Sequence, residues 1–263
     1  MKIIFMGAGK MGHAILSSAI QKKALKKADV VVIKRNTGDL KKEGYKVFNS
    51  LSELPSGYLA DLIVYTVKPN ILEDIIEESK PYLKEDGFVI SIAAGKTIKT
   101  MQNILGTKTA VVRAMPNLPI AVGYGVTGMY ASNQVSKKQK DFCDKIFNSS
   151  GISFWLKKEA DINKVIGAAG SSPAYIYAVI SSLEKVCLGY GFSKELSSKI
   201  SKYLLLGCAK LMQQTGDSPE VLNKKIATPG GTTEAALNFL AKNKILDKLI
   251  LKAAKKAETK FPF

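Results

Sequence analysis

Histidine is nearly absent from this 263-residue chain, with His13 the single example. That excludes any two-histidine metal site and leaves one base for a Ser-His-Asp arrangement. Cysteine is scarce too: Cys143, Cys187 and Cys208 are odd in number and lack C-x-x-C spacing. A disulfide framework or a zinc knuckle is therefore not expected, and a reducing compartment fits. Arginine is rarer still, since only Arg35 and Arg113 occur among 39 basic residues. Proteins that read base sequence rely on the arginine fork, so dispersed lysine argues for a solvated surface rather than nucleic-acid recognition. No apolar run approaches the ~18 residues of a membrane span, and Ile3–Met6 passes straight into glycines, too short for a signal peptide. No metal ligand set is expected, and the expected location is the cytoplasm.

What the chain does have is a net charge of +17 and 46% hydrophobic residues, ordinary for a folded protein of one or two domains. Over the first 157 residues, short apolar runs alternate with helix-period segments. Strands are expected at 2–6, 30–34, 45–48, 62–67, 88–92, 110–113, 125–130 and 152–156, the last two antiparallel at one edge. Helices are expected at 11–25, 71–83, 98–105 and 137–147. Alternation of this kind specifies an α/β fold, a parallel sheet with crossover helices on both faces. From 158 to 263 the pattern is helix only, at 159–169, 171–190, 194–214, 219–226 and 232–258. The switch marks a second, all-helical domain. Its segment 175–186 is apolar on most faces, which implies burial in a bundle or against a second subunit.

Gly7-Ala8-Gly9-Lys10-Met11-Gly12 fits G-x-G-x-x-G, and it follows a strand and opens a helix. Gly7 permits the tight turn, Gly9 lets the backbone approach a pyrophosphate, and Gly12 allows close packing of helix on strand. The helix N-terminus adds unpaired amides and a positive dipole. At the end of the second strand, where NAD-binding chains carry an acid, stand Lys34, Arg35 and Asn36. Two cations there suit a 2′-phosphate and hence NADPH, or else form a basic surface turn. His13, just past the fingerprint, reads as a helix residue near the wall of the nucleotide site before it reads as a base.

Farther along, Thr228-Pro229-Gly230-Gly231-Thr232-Thr233 feeds a helix-period segment, giving a second loop at a helix N-terminus. Such a loop suits a small carboxylate, with Thr233 able to donate to a neighbouring heteroatom; alone, it could equally be a helix cap.

Together with Val67-Lys68-Pro69, Ala93-Ala94-Gly95, Arg113-Ala114-Met115-Pro116-Asn117 and Ser171–Tyr175, these stretches make the chain resemble pyrroline-5-carboxylate reductase nearly end to end. The resemblance implies a Rossmann-type, doubly wound N-terminal domain and an all-helical C-terminal domain that binds substrate and joins two subunits, as a homodimer or an assembly of dimers. It implies reduction of 1-pyrroline-5-carboxylate to L-proline with NADPH or NADH. Carried over residue by residue, Gly7–Gly12 cradle the pyrophosphate, while Asn49, Val67, Lys68, Pro69, Ala93, Ala94 and Gly95 line the nucleotide site. Thr228 and the amides of Gly230, Gly231 and Thr232 hold the substrate carboxylate, and Thr233, the catalytic residue, hydrogen-bonds the ring nitrogen. Four positions depart from the family pattern: Leu118, Ser172, Lys224 and Thr228, of which Thr228 keeps its hydroxyl. Hydride transfer to an imine needs position and polarisation more than side-chain acids, which a chain with one histidine can supply.

Two other enzyme or binding classes fit less well. A β-hydroxyacid dehydrogenase would need a lysine early in the helical domain, and none stands between Lys164 and Lys185. A catalytically impaired NADP-binding or regulatory protein is the reading that Leu118 and Lys224 leave open.

Overall fold

The computed structural model describes residues 1–35 and 38–260. The chain divides into two compact units: Met1–Ser171 together with the residues from Ala257 on, and Ser172–Lys256.

The first unit is built on one eight-stranded sheet in the order β3-β2-β1-β4-β5-β6-β7-β8. Its strands are β1 (Ile3–Met6), β2 (Val30–Ile33), β3 (Lys46–Phe48), β4 (Ala60–Tyr65), β5 (Leu83–Ser91), β6 (Ala110–Met115), β7 (Gly125–Ala131) and β8 (Gly151–Trp155). The helices between them are α1 (Lys10–Gln21), α2 (Gly38–Lys42), α3 (Leu72–Ser79), α4 (Ile98–Leu105) and α5 (Lys137–Asn148). β1 to β6 are mutually parallel, β7 runs antiparallel to β6, and β8 pairs parallel with β7. β7 and β8 therefore both oppose the rest at one edge of the sheet, as the sequence pattern suggested.

The central strands are apolar at every position because each face of the sheet is covered, which parallel sheets require. Successive residues alternate between two cores. Ile3, Phe5, Val30, Val32, Leu62 and Val64 pack with Ile15 and Leu16 of α1 and Ile146 of α5. Ile4, Met6, Val31, Ile33, Ile63 and Tyr65 pack with Leu72 and Ile76 of α3 and Met101 of α4. Buried Tyr65 bonds the hydroxyl of Ser79 at 2.8 Å, and burial pushes its own hydroxyl up to about 12. The strand order reverses direction at β1, whose neighbours are β2 and β4. That is the topological switch point at which open α/β sheets bind ligands beyond the carboxyl ends of their strands.

The change from strands to helices near residue 157 does not coincide with the edge of the compact unit. α6 (Asp161–Val165) and the π-helical turn Ile166–Gly170 still belong to the first unit. Ile162 and Val165 pack on Met115 of β6, which is why this helical piece stays with the sheet.

The second unit holds α7 (Ser172–Gly189), α8 (Lys194–Thr215), α9 (Pro219–Ile226), α10 (Thr232–Ala241) and most of α11 (Ile245–Glu258). Ser193 and Ser218 cap α8 and α9 through their hydroxyls. The single helix expected over 232–258 is broken: Asn243 and Lys244 adopt φ of 58° and 50°. Asparagine tolerates the left-handed region better than most residues, and its cost here was invisible to hydrophobic periodicity. Among its described residues this unit buries only Ser197, Ser201 and Leu222, while Tyr203 and Phe239 are each 71% exposed. A helical unit with so little core and so much open apolar surface is one that packs against something else. Among the described residues no helix is long and apolar enough to cross a membrane.

Candidate functional site

At the carboxyl end of β1 the chain turns through Gly7, with φ of 113°, and Ala8, with φ of 59°. Only glycine adopts the first value without strain. The turn is anchored on the β2 side by the Gly7 amide, which donates to Ile33 O at 2.9 Å. Gly9 is the N-cap of α1. A Cβ at Gly9 would meet nothing within 4 Å, so its backbone faces open space. A Cβ at Gly12 would lie 2.3 Å from Thr66 Oγ1, so the helix can come this close only with glycine there. Lys10 and Met11 begin the helix, where backbone amides have no intrahelical acceptor. An exposed backbone at a strand-turn-helix junction, with the helix dipole behind it, is an anion cradle, and the residues present fit a dinucleotide pyrophosphate.

Lys34 and Arg35 follow β2 directly, and the Lys34 amide extends the β2–β3 ladder by donating to Phe48 O at 2.9 Å. They stand one and two residues beyond Ile33, the acceptor for Gly7, so the two basic residues and the glycine turn share one end of the sheet. Arg35 is exposed. Asn36 lies outside the described residues. Asn49, just past β3, has its amide and its Nδ2 bound to Glu53, at 3.1 Å and 3.2 Å. Val67, Lys68 and Pro69 follow β4, with Pro69 opening a short 3₁₀ turn. Ala93, Ala94 and Gly95 follow β5, and Gly95 turns the chain with φ of 72°. Lys96 then ties this loop to α3 through Glu73 at 2.5 Å. All of these positions lie at the carboxyl end of the sheet, around the switch point. His13 instead faces Glu43, with Nε2 2.9 Å from the carboxylate.

Sequence reasoning missed two features here. Thr66, the first residue beyond β4, sits beneath the fingerprint turn; a signal existed in its place immediately before Val67-Lys68-Pro69. The other is the role of Arg113, which the sequence marked but to which it assigned no partner. Arg113 is 2% exposed on β6, and its Nη1 donates to Glu159 at 2.8 Å. Burial lowers its pKa below the usual guanidinium value, and the Glu159 bond offsets part of that. Nearby, Asn117 joins two segments: its Nδ2 donates to Ala169 O at 3.0 Å, and its Oδ1 accepts the Val126 amide at 2.8 Å. Leu118, which follows, is exposed.

In the second unit, Thr228–Gly231 joins α9 to α10. Gly230 has φ of 74°, and Gly231 is the N-cap of α10. A Cβ at Gly231 would lie 2.5 Å from Thr228 Oγ1, so the threonine hydroxyl occupies the space that glycine leaves. Of the three amides expected to face a carboxylate, two are engaged within the loop. The Gly231 amide donates to Thr228 O at 2.9 Å, and the Gly230 amide donates to Glu234 Oε2 at 2.8 Å. Thr232 and Thr233 form the first turn of α10, where amides lack an intrahelical acceptor. Lys224 stands in the last turn of α9, where the helix dipole favours a cation.

Comparison with known proteins gives this geometry a family. A family model described as pyrroline-5-carboxylate reductase dimerisation matches residues 159–261. A second, described as NADP oxidoreductase coenzyme F420-dependent, matches residues 2–95. Pyrroline-5-carboxylate reductase 2 of Bacillus subtilis is 32% identical over 252 residues, covering 95% of this chain and 90% of that protein. Among solved structures, a pyrroline-5-carboxylate reductase from Coxiella burnetii superposes with a TM-score of 0.88 at 31% identity, covering 98% of this chain and 96% of that one. Plasmodium falciparum pyrroline carboxylate reductase with NADP bound superposes at 0.84 with 29% identity, covering 99% and 96%. The chain belongs to the pyrroline-5-carboxylate reductase family.

Proposed function

We propose that this protein reduces 1-pyrroline-5-carboxylate to L-proline with NADPH, or NADH, as a cytoplasmic homodimer or assembly of dimers. The observation that carries the cofactor half is the open Gly9 backbone at the switch point, with Lys34 and Arg35 at the neighbouring strand end. The nicotinamide, when bound, supplies the hydride. In this reading residues 1–157 hold the nucleotide. Gly7–Gly12 receive the pyrophosphate, and Lys34, Arg35 and Asn36 receive the 2′-phosphate. Asn49, Val67–Pro69 and Ala93–Gly95 border the remainder.

Residues 158–263 hold the substrate and the subunit interface. The first turn of α10 binds the carboxylate through the Thr232 amide, with Thr228 shaping the loop. The Gly230 and Gly231 amides join only if their present bonds are exchanged. Thr233 donates its hydroxyl to the ring nitrogen and so makes the imine carbon more electrophilic. The open apolar faces of α7 and α8 support self-association, because leaving them in water forfeits about 25 cal/mol per Å² of apolar area.

The direct test is NADPH oxidation, followed by absorbance, in the presence of pyrroline-5-carboxylate. Saturable turnover yielding proline is expected. Nucleotide binding without turnover would favour the impaired NADP-binding reading.

A further inference from the structure

We infer that Thr66 is a positioning residue for the nucleotide: its hydroxyl bridges the two ends of the Gly7 turn and holds the phosphate-facing amides in place. The inference rests on the nucleotide reading above and not on the identity of the imine. Thr66 Oγ1 donates to Met6 O at 3.1 Å and accepts the Ala8 amide at 2.8 Å. Its own amide also donates to Met6 O, at 2.9 Å. One side chain therefore joins the last residue of β1 to the second residue of the turn, across Gly7.

That bridge does work which the backbone cannot do alone. Ala8 is buried and holds φ of 59°, a region that disfavours a residue with a Cβ unless its surroundings impose it. The turn leaves the Ala8 amide without a ladder partner, and a buried amide left unpaired is costly. The Thr66 hydroxyl satisfies it. Thr66 also crowds two of the glycines: a Cβ placed at Gly7 would lie 3.0 Å from its backbone oxygen and 3.1 Å from Oγ1, and one at Gly12 would lie 2.3 Å from Oγ1. Gly12 is thus needed because the Thr66 side chain is there, while Gly7 is needed first for its φ of 113°. Gly9, the third, has nothing on that side and is left for the ligand. Thr66 further connects this turn to Val67-Lys68-Pro69, so the loops after β1 and β4 are joined at this point.

The test uses full-length protein and measures NADPH binding by the change in nicotinamide fluorescence, together with steady-state KM for each substrate. Thr66→Val keeps the shape and deletes the bridge. Its NADPH Kd is expected to rise about five- to 150-fold, the range that an unpaired buried amide implies. KM for the imine is expected to stay within about twofold, a split that general loss of stability would not produce. Thr66→Ser keeps the hydroxyl and is expected to retain most of the NADPH affinity. Thr66→Ala is a second hydroxyl-free variant, expected to match valine in case the valine protein does not fold. NADPH affinity within about twofold of wild type in Thr66→Val or Thr66→Ala overturns the inference, as does an equal loss in Thr66→Ser. Failure to reduce the imine with NADPH binding intact would overturn the substrate reading alone, and wild-type protein that binds neither NADPH nor NADH would overturn both.

Discussion

Arg113 Nη1 donates to Glu159 Oε1 across 2.8 Å, and that same carboxylate oxygen accepts the Ile98 amide at 2.7 Å. One carboxylate therefore joins the middle of β6 to the first residue of α4 and to the segment leading into α6. Removing one member of a pair this buried leaves its partner's charge uncompensated, at about 3 kcal/mol. Arg113→Met is expected to lower stability by about that amount in denaturant titration. Arg113→Lys is expected to recover only part of it, because an ammonium has no planar fork.

Thr233 is the hydroxyl assigned to the ring nitrogen. Thr233→Ala is expected to reduce kcat/KM for pyrroline-5-carboxylate by about a hundredfold, the scale of one lost donor in the transition state. NADPH Kd should be unchanged. Wild-type kinetics in this variant would remove Thr233 from the mechanism.

Glu234 places a carboxylate on the Gly230 amide, at the mouth of the loop assigned to the substrate carboxylate. Two anions compete for one positive helix end, so removing the internal one should tighten substrate binding. Glu234→Ala is expected to lower KM for the imine by about three- to tenfold, the scale of a helix-dipole charge contact. Inhibition by L-proline should strengthen in parallel. A higher KM would mean that Glu234 instead braces the loop.

Arg35 is the test of the 2′-phosphate. A charged hydrogen bond to phosphate contributes about 1.5–3 kcal/mol, so Arg35→Ala should weaken NADPH by about tenfold or more and leave NADH nearly unchanged. Equal effects on both coenzymes would return Arg35 to the role of a surface residue.

Asp61 accepts the Lys2 amide and the Lys84 ammonium, each at 2.6 Å. Burial raises its pKa, but those two partners outweigh the effect and the net shift is downward. A carboxyl whose folded value is lowered contributes stability that is present above its ordinary range near 4 and is lost as pH falls through the folded value. Asp61→Asn should therefore lower stability at neutral pH and flatten the acid limb of the urea-midpoint profile. A wild-type acid limb in Asp61→Asn would assign that limb to other carboxyls.

Much of the architecture was legible because its causes are local. Val30-Val31-Val32-Ile33 is apolar at successive positions, which suits a strand covered on both faces and little else. Gly7, Gly9 and Gly12 mark a strand-turn-helix junction, so the turn after β1 was readable from spacing. The starts of α8 and α9 were readable from helical spacing, and Ser193 and Ser218 cap them through their hydroxyls. The break at Asn243 and Lys244 was not legible, because apolar residues keep their helical spacing on both sides of it.

The linear chain carried the order of strands and helices, the glycine turn, the basic strand end and the loop before α10. Each depends on neighbours a few residues apart, within reach of backbone sterics and hydrogen-bond capping. Tertiary structure alone decided the partners. It set Thr66 beneath a turn 58 residues earlier, put Arg113 on Glu159 46 residues later, and gave the Gly230 amide to Glu234. The first two contacts span long stretches of chain and exist only once the sheet has assembled. The third needs the loop to turn through Gly230 and bring a side chain back over its own helix end. The abundant positive charge was plain from composition, but only the adjacency of β1 and β2 places Lys34 and Arg35 at the same end of the sheet as the Gly7 turn.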